Sequence, residues 1–276
     1  GTVCIDTQTQ QEIWRTQFPS VESVGPGSSP LLVDGKLILP FDGTDDQFVV
    51  ALDADTGEPV WRTERPTMEG NEKEYHKAFS TPVLIEHEGR RQVVIVGAQW
   101  VCSYDPETGE ELWRLRHGKG FSMSPRPVYG NGLIYICTAY AGIGVAAIDP
   151  SGNGDVTGSH LRWSHESQAP NMSSPILVGE QIYFVSDRGI ATCLNALDGE
   201  RLWRERLGGN FCASPILVGE HLYFANREGK VHVIKARPDY EPVVVNDLGE
   251  AVMASPAVIG DDLLIRTDDH LYRIGS

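Results

Sequence analysis

Positive charge is scarce in this chain: 23 Lys and Arg stand against 38 Asp and Glu, a formal net charge of −15. A surface of that sign repels phosphate, which excludes a nucleic-acid partner. Long apolar runs are missing too. The longest uncharged stretch, 127–148, is broken by Gly130, Asn131, Gly132, Gly142 and Gly144, so no membrane-spanning helix is expected. No stretch repeats its apolar residues every 3.6 positions, which excludes an amphipathic-helix fold. The five cysteines (Cys4, Cys102, Cys137, Cys193, Cys212) include no Cys-x-x-Cys and no adjacent pair, and read as free thiols. Among eight histidines no His-x-His or His-Glu-x-x-His spacing occurs, so no metal is expected. Most of them fall in turns and are expected to be solvated. Gly-x-Ser-x-Gly, the phosphate-binding Gly-x-x-x-x-Gly-Lys loop and Gly-x-Gly-x-x-Gly are all absent, which removes the usual nucleophile and nucleotide signatures.

What is present is a repeat. Asp or Asn, then Gly four residues on, then Trp four further, occurs as Asp53-Gly57-Trp61, Asp105-Gly109-Trp113 and Asn195-Gly199-Trp203. Asp6-Gln10-Trp14 keeps the spacing with Gln in the glycine slot. Asp149 and Trp163 are the same pair separated by six extra residues, 151–160 being a Gly-rich detour. A sixth copy has Val244 in the tryptophan slot. Ser-Pro or Thr-Pro precedes a short apolar run at Pro30, Pro82, Pro125, Pro175, Pro215 and Pro256, in four copies 12 residues after the tryptophan slot. Two anchors in constant phase give a mean period of 46 residues, the size of a four-stranded propeller blade.

Within each unit the first strand follows the proline (31–33, 176–178, 216–218), then a tight turn such as Asp34-Gly35 or Gly130-Asn131-Gly132. The second strand is β-branched or aromatic, the third ends at the Asp or Asn, and the fourth carries the Trp. The Asp side chain accepts backbone hydrogen bonds and starts a turn; Gly57, Gly109 and Gly199 supply a positive φ. Trp14, Trp61, Trp113, Trp163 and Trp203 are expected to be buried between neighbouring blades. Two positions before the anchor stand Cys4, Ala51, Ser103, Ala147, Cys193 and Ile234, five of the six small, as packing in a crowded strand requires.

These stretches resemble the pyrroloquinoline-quinone-like propeller repeat over nearly the whole chain, most closely in Asp-x-x-Thr-Gly-x-x-x-Trp at 53–61 and 105–113. The expectation is an all-β, single-domain β-propeller over 1–276, with six repeats visible. Thr2 to Gln17 reads as the outer half of a blade, so six C-terminal blades of an eight-bladed protein are expected. The alternative is a closed ring in which 12–17 lies beside 271–274. The resemblance implies an exported, periplasmic bacterial protein, of a family that contains both quinoprotein dehydrogenases and the outer-membrane assembly scaffold. Pyrroloquinoline quinone and calcium are implied by the resemblance alone. The neighbouring cysteines that many such dehydrogenases place against the quinone are missing here, and Asp53-Ala54-Asp55-Thr56-Gly57 reads as a β-turn, not a calcium loop.

Propellers bind through connections leaving the fourth strand and those between the second and third. Here these hold His76, Lys77, His117, Lys119, Asn171, Asp187, Arg188, Asn210, Arg227 and His270. The longest, 64–79, is rich in charge and reads first as a solvated loop, and alternatively as a functional insertion. A non-catalytic scaffold binding a protein or small ligand at this face is the leading reading. A quinone- or calcium-dependent oxidoreductase is the alternative, and a saccharide-binding module using Trp100, Tyr140 and Tyr75 is a third.

Overall fold

The computed structural model describes all residues except 22–24, 26, 71, 139, 167 and 276. Two compact units are present: Gly1–Met123 with Tyr140–Gly142 and Pro150–His160, and Ser124–Ala139 with Ile143–Asp149 and Leu161–Ser276. Among the described residues every regular element is a β-strand, apart from a 3-10 helix at Lys73–His76.

The first unit holds three antiparallel sheets. Sheet I pairs Thr2–Ile5 with Glu12–Thr16. Sheet II runs Leu31–Val33, Lys36–Asp42, Gln47–Asp53, Pro59–Glu64. Sheet III runs Val83–His87, Arg90–Val96, Trp100–Tyr104, Glu111–Arg116, with the detour residues Gly154–Asp155 added in parallel outside the last. The second unit holds four. Sheet IV is Val128–Gly130, Leu133–Thr138, Gly144–Ile148, Leu161–His165. Sheet V is Ile176–Val178, Gln181–Val185, Ile190–Asn195, Arg201–Arg206. Sheet VI is Ile216–Val218, His221–Ala225, Lys230–Lys235, Pro242–Asp247. Sheet VII is Ala257–Ile259, Asp262–Arg266, Leu271–Ile274. The four-strand reading of each unit therefore holds in II to VI, at the positions the prolines mark.

Local chemistry explains the strand ends. Asp34 and Gly35 both take positive φ, +47° and +73°, closing the two-residue hairpin expected of Asp-Gly. Asp53 Oδ1 accepts from the backbone N–H groups of Asp55 and Thr56 at 3.0 and 2.9 Å, and Asp105 does the same for Glu107 and Thr108. Gly57, Gly109 and Gly199 close these turns at φ near +75°, and Gln10 adopts +58° in the same slot.

One residue then bulges out of each fourth strand, so every tryptophan lies directly across from a small residue. Trp14 faces Cys4, Trp61 faces Ala51, Trp113 faces Ser103, Trp163 faces Ala147 and Trp203 faces Cys193. In sheet VI the turn is one residue longer, Lys235 occupies the anchor slot, and Val244 faces Val233. Ile234 is therefore not the sixth member of the small-residue series.

The indoles join sheet to sheet within each unit. Trp14 Nε1 donates to Ala54 O at 3.0 Å, Trp61 to Pro106 O at 3.2 Å, Trp163 to Ala196 O at 2.9 Å and Trp203 to Arg237 O at 3.3 Å. The rings of Trp14, Trp61 and Trp163 lie flat on Gly57, Gly109 and Gly199, where a Cβ would come within 2.4 to 2.7 Å of the ring. Trp113 departs from this. Wholly buried, it donates to Gln92 Oε1 at 2.7 Å, and Gln92 in turn holds Pro150 O, fastening the detour to sheet III. The core lies between the faces of successive sheets: Ile38, Val49 and Ala51 against Val93, Ile95 and Tyr104, and Tyr183, Val185 and Cys193 against Leu222, Phe224 and Ile234.

All five cysteines are free. Burial pushes the Cys102 thiol up to about 11 and the Cys193 thiol up to about 12. A thiol reagent at pH 8 should therefore modify Cys4 and Cys212, which are partly exposed, in the native protein; Cys102, Cys137 and Cys193 should react only after denaturation. Trp203→Ala should lower the unfolding free energy by about 3–5 kcal/mol in urea titrations. Gly109→Ala, which must strain the backbone and displace Trp61, should cost at least about 1 kcal/mol in the same measurement.

Candidate functional site

In the first unit the connection from sheet II to sheet III, residues 65–82, is built onto the scaffold. Arg65, with its side chain 1% exposed, donates through Nε and Nη2 to both oxygens of Asp42 at 2.8 and 2.6 Å. Glu69, Glu72, Lys73, Glu74 and Tyr75 of this connection are exposed, as in a solvated charged loop, while Arg65 is not. The Asp42 carboxylate, buried at the end of the second strand of sheet II, takes two of the three guanidinium nitrogens while Nη1 stays buried without a partner, and removing either residue alone would strand a buried charge. Gln99, buried at φ +60°, forms an amide bridge to the loop, accepting from Glu69 N and donating to Glu69 O, both at 2.9 Å. Arg116 pairs with the Glu69 carboxylate at 2.6 Å, and its charge-assisted hydrogen bond holds that carboxyl below the ordinary range. Trp100 Nε1 donates to Thr67 O at 3.2 Å, while Arg114 and Arg116 cover its ring at 5.5 and 5.8 Å. Beyond the 3-10 helix, Phe79 N donates to Met123 O and Ser122 N to Lys77 O, both at 2.7 Å. Asn71 lies outside the described residues.

Tyr75 of this pinned loop begins a row of rings that Phe121 and Tyr140 continue from other segments. Tyr75 sits 4.5 Å from Phe121, and Phe121 5.5 Å from Tyr140 with planes 25° apart. The two outer rings are 45% and 48% exposed. A cavity of about 480 Å³ opens beside them, lined by Glu69, Glu72, Tyr75, Gln99 and Lys119. The Tyr75 hydroxyl donates to Glu72, which raises the phenol above its ordinary value.

Of the residues anticipated from sequence, Lys119 lines this cavity, and His76 and Lys77 flank it. His76 Nε2 is buried without a partner, and Lys77 pairs with Glu74. His117 does not reach solvent. It is wholly buried and donates through Nε2 to Gly97 O at 2.9 Å, while its backbone N–H donates to Gln99 O and Gly120 folds back against the ring. His232 is likewise buried. In the second unit four of the anticipated residues are already engaged, Asn171 and Asp187 with each other and Asn210 and His270 with nearby glutamates. Asn171 donates to Asp187 (3.0 Å from the backbone), Asn210 to Glu228 (2.8 Å), and His270 pairs with Glu250 (2.8 Å). Each of these joins a connection to the second-to-third-strand turn of the sheet that follows it. Arg188 and Arg227 stand exposed on those turns. Sequence reasoning passed over Gln99, Phe121 and Asp42. Only the Gly-Lys-Gly-Phe stretch at 118–121, an aromatic between flexible residues, hinted at one of them.

A quinone with its calcium does not fit these residues. No two cysteines adjoin, Asp53 Oδ1 is taken up by Asp55 and Thr56, and among the described residues no three His, Cys, Asp or Glu side chains converge. The profile of the family described as outer membrane protein assembly factor BamB matches residues 1–205 and 97–240. The chain belongs to this family. Among solved structures, BamB from Moraxella catarrhalis is similar over 98% of this chain and 74% of its own, with 18% identity and a TM-score of 0.72. A europium-containing methanol dehydrogenase is similar over 99% and 72%, at 12% identity and TM-score 0.70. The quinohemoprotein alcohol dehydrogenase from Comamonas testosteroni is similar over 83% and 43%, at 12% identity and TM-score 0.60. At these identities the likeness concerns the fold, an all-β propeller of the PQQ-like type. No curated protein sequence matches the chain.

Burial pushes the His117 imidazole down from 6.5 to about 4. The unfolded chain then binds a proton that the native state does not. The stability held in the neutral ring is complete above about pH 6.5 and is lost as pH falls toward 4. Urea titration at pH 4.5 against pH 7 should show about 2–3 kcal/mol of loss from this group, and His117→Gln should lose that part of the dependence.

Proposed function

We propose that this chain is a non-catalytic docking scaffold, exported to the bacterial periplasm, that binds a protein of the outer-membrane assembly apparatus through the loop end of its first unit. The observation that carries the reading is the row Tyr75–Phe121–Tyr140, its outer rings open to water, with Tyr75 on a loop pinned at Arg65, Glu69, Thr67 and Phe79. Amphipathic rings on a rigid support bury large area on a partner at small entropic cost, which is how protein interfaces place their strongest contacts. The family description, an outer membrane protein assembly factor, supports the class of partner. The saccharide reading is the weaker one. Of its three rings Trp100 is already engaged by Thr67 and two arginines, leaving Tyr75 and Tyr140 on the two sides of Phe121.

A photoreactive residue at Tyr140 should crosslink in intact cells to a component of the outer-membrane assembly apparatus, identified by mass spectrometry. The same group at exposed Leu32 should not, and Phe121→Ala should weaken the Tyr140 adduct several-fold. Equal adducts at both positions, or oxidation of alcohols by the purified protein with quinone and calcium, would overturn the proposal.

A further inference from the structure

The arginines that directly follow the tryptophans share a pattern that breaks in sheet V. The residue after the tryptophan is Arg15, Arg62, Arg114 and Arg204 in sheets I, II, III and V. The first three each have a carboxylate. Arg15 pairs with Glu12 at 2.5 Å and Arg114 with Glu111 at 3.3 Å, both acids standing two positions before the tryptophan; Arg62 pairs with Glu64 at 2.8 Å. In sheet V the position two before Trp203 is Arg201. Two guanidiniums therefore occupy the place where sheets I and III carry an ion pair.

Among the described residues neither the Arg201 nor the Arg204 side chain has an ion pair or a hydrogen bond, although the chain carries 38 acidic residues against 23 basic. Glu205 shares the opposite face of the strand with Trp203, by the alternation of an extended chain, and its charge acts on Tyr240. On the other side, Trp163 clasps Ala196 and Gly199 and brings the fourth strand of sheet IV alongside. That strand contributes Arg162, already paired with Asp149, and His165, whose imidazole burial and the two guanidinium charges hold below its ordinary value. Leu197 and Leu202 are exposed on the same turn and strand.

We infer that Arg201 and Arg204 are a docking point for an acidic segment of a partner protein, a carboxylate of which bridges the two guanidiniums where Glu12 and Glu111 serve in sheets I and III, with an apolar neighbour against Leu197 or Leu202. Carboxylate matches the guanidinium fork and gains a charge-assisted hydrogen bond from each. An extended anionic membrane meets the repulsion of the whole −15 charge, whereas a short segment feels mainly the local field within a Debye length. This surface belongs to the second unit, and the inference does not rest on the function proposed for the first.

The test uses a fluorescein-labelled peptide alternating Glu and Leu, its Glu-to-Gln counterpart, and the whole chain, read by fluorescence anisotropy at two salt concentrations. The acidic peptide should bind, weaken with salt, and exceed the Gln peptide at least about tenfold. R201E/R204E should lose at least about tenfold in affinity, R201K/R204K should keep part of it, and R62E should match the wild type. Unfolding curves establish that each variant is folded; if R201E/R204E is not, R201Q/R204Q carries the same expectation. Equal binding of the two peptides, no binding of the acidic one, or undiminished binding by the charge-reversed variant overturns the inference. So does binding to phosphatidylglycerol vesicles with none to the peptide.

Discussion

The structure depends on one contact repeated along the chain: an indole from the fourth strand of one sheet laid on the turn of the next. The inner strands of these sheets are buried on both faces, so a sheet standing alone would leave apolar surface in water. The tryptophan changes that by burying a large ring between sheets and satisfying its N–H on a backbone carbonyl, as Trp14, Trp61, Trp163 and Trp203 all do. Three local features make room for it. A bulge sets the ring opposite a small residue, an Asp or Asn fixes the turn, and a glycine at positive φ lets the ring lie flat on the backbone.

Where the repeat departs from this contact, the chain compensates or leaves a surface. Trp113 turns inward to Gln92, which also holds the detour at Pro150, so the insertion becomes an added strand of sheet III and not a free loop. Val244, with no indole to offer, sits about half exposed in a strand that faces solvent along its whole length. Arg201 keeps the fold but reverses a charge, and the consequence falls on the surface alone.

The loop end of the first unit shows how a rigid repeat carries a variable site. Its connection is fastened by a buried ion pair, an amide bridge and an indole N–H, supplied by two strand ends and a turn of sheets II and III. Tyr75, Phe121 and Tyr140 come from three separate segments that the fold brings into a row. In the second unit equivalent connections spend their polar groups differently, on the Asn171–Asp187, Asn210–Glu228 and His270–Glu250 pairs that tie sheet to sheet.

The sequence by itself determined the strands, the turns and the spacing of the tryptophans, because each rests on residues within about one blade: Asp34-Gly35 closes its hairpin and Asp53 caps its own turn. It also determined the class of fold, since a period of 46 residues with two anchors in phase admits few architectures. Partners distant in the chain were decided only in three dimensions. Asp42 with Arg65, Gln99 with Glu69 and Phe121 with Tyr140 lie 19 to 30 residues apart, and no local propensity reports them. His117 looked like a solvated loop residue for the same reason. A histidine in a polar connection carries no mark of whether the chain folds back over it, and here burial, not composition, set its charge.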